Sequence, residues 1–183
     1  MKKILAFLGS PRKNGATAAV MEQVIAGAKA EGAEVITYDL NDENIKGCQG
    51  CFYCRGNEGC ATKDALAPMY EQMKEADGVI VASPIYFMNV TSQTKKLIDR
   101  LYPMINPDFS PRFPGKKAVT VYTQGNVDPN GFQGAIEGID MILKMFGWEL
   151  LDSIVLPGSF APEESVKQAV MQRAFEAGKQ LTK

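Results

Sequence analysis

Four cysteines fall in one short segment, Cys48-x2-Cys51-x2-Cys54-x5-Cys60, and the chain has no others. Thiolates are soft ligands, so such a segment can enclose an iron-sulfur core, bind a zinc ion, or carry redox thiols without any metal. Gly47, Gly50, Gly56 and Gly59 lie among them and permit the tight backbone curvature that wrapping a small group needs. Zinc sites usually place two Cys pairs well apart, which this spacing does not do. The chain contains no histidine, which excludes Ser-His-Asp and Cys-His catalysis and confines any metal site to thiolates and carboxylates.

A second cluster of chemistry lies near the start. Gly9-Ser-Pro-Arg-Lys-Asn-Gly15, followed by Ala16-Thr17, offers two hydroxyls (Ser10, Thr17), two cations (Arg12, Lys13) and free backbone N–H groups at the head of a helix. That combination suits a phosphate. It is not a Walker A loop, because Lys13 precedes Gly15 and no Gly-Lys-Ser/Thr is present, nor is it G-x-G-x-x-G. The plainer reading of the same residues is a strand-to-helix connection with surface charges. Further on, Ser83-Pro-Ile-Tyr-Phe-Met-Asn-Val-Thr91 carries Tyr86 and Phe87, which suit a flat ring or else cover the sheet edge. Thr123-Gln124-Gly125-Asn126 is a third polar loop, whose glycine admits a ligand close to the backbone.

The elements that must position these loops alternate strictly. Strands are expected at Lys3–Leu8, Glu34–Asp39, Gly78–Ser83, Lys117–Thr123 and Glu149–Val155. Helices are expected over about 16–31, 64–75 and 92–101, the last capped by Ser92, then along the stripe Phe132, Ile136, Ile139, Leu143, Phe146, and finally from Pro162-Glu163-Glu164 onward. The nearly all-apolar run Gly78–Ala82 is typical of a strand covered on both faces. The fold class is therefore α/β, a doubly wound five-stranded parallel sheet of order 2-1-3-4-5 with helices on both faces. Ligands of such sheets bind beyond the strand carboxyl ends where the order reverses, here between strands 1 and 3. The loops after Leu8 and Ser83 flank that point.

The remaining bounds are broad. At 183 residues with 45% hydrophobic content the chain reads as one domain, 1–183, with a cysteine-rich loop insertion at about 41–63. A net charge of −1 without a basic block argues against nucleic acid as a partner. The apolar run after Lys3 stops at Gly9, too short for a signal segment or membrane span, so the expectation is a cytoplasmic protein without a membrane partner.

Gly9-Ser-Pro-Arg-Lys-Asn-Gly-Ala-Thr17 resembles the G-S-P-R-x-x-G-N-T phosphate loop of the NADPH-dependent FMN reductase family. Ser83-Pro-Ile-Tyr86, with Lys96 and Asp99-Arg100, resembles its second signature. The resemblance covers nearly the whole chain and implies a flavodoxin-like fold and an FMN cofactor. Carried over, Ser10, Arg12 and Thr17, with Lys13, Asn14 and Ala16 in the same loop, would surround the phosphate. Pro84, Ile85, Tyr86, Phe87 and Asn89 would face the flavin, and Thr123, Gln124 and Gly125 would border its ring. Ala16 stands where the family usually has asparagine, which removes one phosphate contact.

The cysteine spacing is similar to that of the iron-sulfur flavoprotein branch of that family, in which such cysteines carry a [4Fe-4S] cluster. Ferredoxins have a similar three-cysteine run, but their fourth cysteine serves another cluster. The resemblance thus implies Cys48, Cys51, Cys54 and Cys60 as metal ligands and an FMN-dependent oxidoreductase or electron-transfer flavoprotein without a side-chain acid or base, hence no catalytic residue. It further implies NAD(P)H or a ferredoxin-like donor, a small-molecule or protein electron acceptor, and a homo-dimer or homo-tetramer. A cluster-free NAD(P)H-dependent FMN, quinone or nitroaromatic reductase and a zinc-stabilised binding module are the alternatives.

Overall fold

The computed structural model describes residues 1–183. β1 (Lys3–Leu8) leads through the Gly9–Gly15 loop into α1 (Ala16–Ala30), and β2 (Glu34–Asp39) follows Gly32, whose φ of 83° ends the helix. Beyond β2 the chain is irregular, apart from one helical turn α2 (Tyr53–Gly56), until α3 (Met69–Glu75). Then come β3 (Gly78–Tyr86), β4 (Asn89–Val90), α4 (Ser92–Arg100), a 3-10 turn at Tyr102–Met104 and β5 (Lys117–Thr123). α5 (Gln133–Met145), β6 (Glu149–Leu156) and α6 (Glu164–Gln180) complete the chain.

The parallel strands lie in the order β2-β1-β3-β5-β6, so the five expected strands have the neighbours that the alternating pattern demanded. The sheet nevertheless has six strands, not five. β4 folds back on β3 through the pairs Ile85–Val90 and Tyr86–Asn89, and the turn between them is Phe87-Met88, both left-handed at φ 45° and 68°. Hairpins of this kind normally announce themselves by Asn-Gly or Asp-Gly, and neither is present.

Other boundaries also move. α3 begins at Met69 rather than Asp64, because Asp64 turns its carboxylate onto the Leu66 N–H and Pro68 disfavours helical geometry in the residue before it. Thr91, not Ser92, caps α4, accepting from the Thr94 N–H at 3.1 Å. β3 runs three residues past Ser83 because it goes on pairing with β5 and then β4.

Alternate residues of each strand face two cores. Leu5, Phe7, Val79 and Val81 pack with α3, α4 and α5, while Ile4, Ala6, Ile80 and Ala82 pack with α1 and α6. α1 and α6 meet backbone to backbone: a Cβ at Gly27 would strike the Phe175 carbonyl, and one at Gly178 the Val24 carbonyl. Burial on both sides leaves only the strand ends free to carry chemistry. No helix is long and apolar enough to cross a membrane.

Candidate functional site

A groove opens at the carboxyl edge of the sheet, where β1 and β3 diverge into loops. It is lined by Ser10, Arg12, Gly15, Ala16, Thr17, Pro84, Ile85, Tyr86, Thr123, Gly125, Ser159 and Phe160. Its first end is the N-terminus of α1. Gly15 stands at the cap position with no side-chain hydrogen bond to the helix, so the first-turn N–H groups are left for a ligand. Ser10 is buried and accepts the Arg12 N–H at 3.1 Å, which curls the loop. Gly9 must be glycine, since a Cβ there would run into Thr94 Oγ1. Thr17 Oγ1 lies 2.6 Å from Thr123 Oγ1, tying α1 to the end of β5.

The other end is flatter and more apolar. Pro84, Ile85 and Tyr86 end β3, and Phe160 lies against Gly125, where any Cβ would come within 2.5 Å of its ring. The β6 loop is held to the β5 loop by Ser159 N donating to the Gln124 carbonyl at 2.8 Å.

Five expected groove residues lie off it. Lys13 is turned away into an ion pair with Asp39 at 2.9 Å, and Asn14 is exposed beside it. Phe87 is wholly exposed at the hairpin tip, and Asn89 accepts its neighbour Val90's N–H. Gln124 is buried behind the groove, its Nε2 donating to the Asp128 carbonyl at 2.6 Å while its Oε1 has no partner. Gly15, Ser159 and Phe160 were not anticipated. The last two follow β6, and the rule that ligands sit beyond strand carboxyl ends could have found them.

The four cysteines line a second cavity with Phe52, Tyr53, Asp99, Arg100 and Tyr102. Cys48 and Cys51 are exposed, Cys54 and Cys60 half-buried, and none forms a disulfide. No three thiols or carboxylates are gathered closely enough to hold one metal ion. Burial pushes the Cys54 thiol above its ordinary value, with the other three thiols adding to the effect. Burial acts the same way on Cys60, but the Thr62 backbone N–H and the Arg100 charge outweigh it and hold that thiol below its ordinary value. The two irregular stretches dock on each other: Arg55 donates to the carbonyl of Asn106 at 3.0 Å and lies over Tyr102 and Phe109, and Arg112 donates to the Asn57 carbonyl at 3.3 Å.

Residues 2–166 match the NADPH-dependent FMN reductase family. The chain belongs to that family. It is 35% identical over 102 residues to an iron-sulfur flavoprotein of Methanocaldococcus jannaschii, covering 56% of this chain and 53% of that protein. It is 27% identical over 164 residues to an FMN reductase (NADPH) of Escherichia coli, covering 90% and 75%. The chain spans about half the length of the iron-sulfur flavoproteins it matches. An NAD(P)H:quinone oxidoreductase from Methanothermobacter marburgensis has the same fold, with a TM-score of 0.79 over 100% of this chain and 96% of that one, at 18% identity.

The groove fits the cofactor for which this FMN reductase family is named. It joins an anion-seeking helix terminus, the buried hydroxyls of Ser10 and Thr17 and the Arg12 cation to an end lined by Pro84, Ile85, Tyr86 and Phe160. The cysteine cavity offers four thiolates, the donor set that a four-iron cluster takes, one on each iron. All four cysteines line that one cavity.

Proposed function

We propose that this chain is an FMN-dependent oxidoreductase of the iron-sulfur flavoprotein type, built as one flavodoxin-like domain with the cysteine segment inserted after β2. The observation that carries the reading is a pair of sites joined by one helix. α4 starts beside the groove, where Thr91 Oγ1 donates to the Gly9 carbonyl at 2.7 Å, and ends at Arg100 in the cysteine cavity.

Arg12, Ser10, Thr17 and the α1 N-terminus would hold the FMN phosphate, with Pro84, Ile85, Tyr86 and Gly125 along the ring. Cys48, Cys51, Cys54 and Cys60 would hold a [4Fe-4S] cluster. When bound, FMN supplies hydride and single-electron chemistry and the cluster one-electron chemistry. The chain itself positions the ring, excludes water from its apolar edge and neutralises the phosphate. The exposed ring end leaves room for a nicotinamide or for a ferredoxin-like donor, with a small molecule or protein as acceptor. The exposed apolar residues Phe87, Met88 and Phe109 support a homo-oligomer.

A cluster-free NAD(P)H-dependent reductase is the second reading, favoured by the match over 90% of this chain to an FMN reductase. An anaerobic absorption spectrum separates the two. Two resolved flavin bands over a broad shoulder that bleaches on reduction support the cluster, and flavin bands alone support the second reading. Release of FAD, or of no flavin after reconstitution, overturns both.

A further inference from the structure

Lys96 and Arg100 belong to a signature that the groove does not use. The Arg100 side chain is 0% exposed and its partner Asp64 2%. Nη1 donates to Asp64 Oδ2 at 2.7 Å and to the Lys46 carbonyl at 2.8 Å. Nη2 donates to Asp64 Oδ1 at 3.1 Å and to the Thr62 carbonyl at 3.4 Å, and Nε donates to Tyr70 OH at 3.0 Å. Every donor of the guanidinium is therefore used, the condition under which a buried cation is tolerated.

The identity of the acceptors is the informative part. Lys46 lies two residues before Cys48, and Thr62 two residues after Cys60. One side chain thus ties the two ends of the cysteine segment together. One turn earlier on α4, Lys96 Nζ adds a bond to the Ile45 carbonyl at 3.1 Å. Arg100 also lines the cysteine cavity, whereas Asp64 does not. Asp99, on the same rim, is paired outward with Lys95.

We infer that Arg100 is a positioning residue for the cysteine segment, fixing the separation of its ends and holding a positive charge beside the thiols. The first half stands on geometry alone; the second rests on the cluster reading above. Lysine at this position keeps the charge but loses the planar fork that spans Lys46, Thr62 and Asp64 at once. A fixed cation beside a cluster favours its more reduced, more negative state.

The test uses the full FMN-bound chain prepared without oxygen. Hydrogen exchange is followed before iron is added, and iron retention and midpoint potential after reconstitution. Arg100→Lys raises exchange at the hydrogen-bonded amides of the segment, Lys46 and Arg55, about ten-fold, matching the loss of one charged hydrogen bond, and leaves residues 9–17 unchanged. It also speeds iron loss to a chelator by about the same factor. The paired change Arg100→Gln with Asp64→Asn replaces the ion pair by two neutral amides, and the midpoint potential falls. Should Arg100→Lys not fold, this neutral pair takes its place in the exchange measurement.

Unchanged exchange at the Lys46 and Arg55 amides, or a rise spread over the whole chain, overturns the assignment. A retained cluster at an unmoved potential overturns the electrostatic half. A parent protein that takes up no iron defeats the cluster reading and that electrostatic half, while exchange still decides the role of Arg100.

Discussion

The groove and the cysteine segment are held in place by different means. The groove hangs from the sheet: Gly9 N donates to the Ala82 carbonyl at 2.7 Å and Gln124 N to the Leu156 carbonyl at 3.1 Å, so its loops continue the strand ladder. The cysteine segment has almost no ladder of its own. Beyond any bonds within α2, the one backbone–backbone bond made between Gly47 and Ala61 runs from Arg55 N, in α2, to the carbonyl of Phe52 just before it. Its place is set by the side chains of Lys96, Arg100, Arg55 and Arg112. A site held by backbone tolerates substitution around it, because the ladder does not depend on side-chain identity. A site held by a few long cations fails one residue at a time.

The contrast breaks most visibly at the cysteines. Replacing any one of Cys48, Cys51, Cys54 or Cys60 by alanine is expected to remove or destabilise the proposed cluster while FMN stays bound, which iron, acid-labile sulfide and flavin analyses of one sample will read. Joint loss of flavin and iron would mean the two regions are not independent.

The next effect is on stability. Asp64→Ala leaves Arg100 buried without its counter-charge and is expected to cost about 3–5 kcal/mol in urea unfolding. Burial works to raise the Asp64 carboxyl, but hydrogen bonds from Arg100 and the Lys46 N–H outweigh it and hold it below the usual carboxylate range. A depressed carboxylate stabilises the fold above its unfolded value and loses that contribution as pH falls. The parent therefore weakens from about pH 4 downward, and the variant shows a shallower acid slope. Equal slopes would show that Asp64 is not the group responsible.

Within the groove, two adjacent cations sharpen the same lesson. Arg12→Ala is expected to weaken FMN binding about ten-fold or more, measured by flavin fluorescence titration, since a charge-assisted bond to phosphate contributes about 1.5–3 kcal/mol. Lys13→Ala is expected to change it little, because that side chain faces Asp39. A larger loss from Lys13 would place the phosphate on the opposite side of the loop.

The smallest effect is at the hairpin tip. Met88→Gly removes the strain of a left-handed residue at φ 68° and is expected to stabilise the fold by about 0.5–1 kcal/mol after the entropic cost of glycine. A loss instead would mean that Met88 makes contacts beyond this chain, as a subunit interface would.

Most of the fold could be read from the sequence because strands buried on both faces leave nearly unbroken apolar runs, such as Gly78–Ala82, separated by helical stripes. The groove followed from the rule for strand ends. Three things could not be read. The β4 hairpin turns through Phe87 and Met88, residues that carry no turn signal. Lys13 meets Asp39 because β1 and β2 are neighbours, a contact that exists only once the sheet has formed. Arg100 finds Asp64 across 36 residues, so its place in the second signature gave no sign of the partner that buries it.

The bond between Thr17 and Thr123 has a consequence of its own. Only one of the two hydroxyls can donate across 2.6 Å, and either can take that part. When an anion at the helix end accepts the Thr17 proton, Thr123 must donate to Thr17, and Thr123 then turns only lone pairs toward the groove. With that end empty, Thr17 can donate instead and free the Thr123 proton. One hydrogen bond thus couples what Thr123 offers at one end of the groove, a proton or a place for one, to what Thr17 donates to at the other.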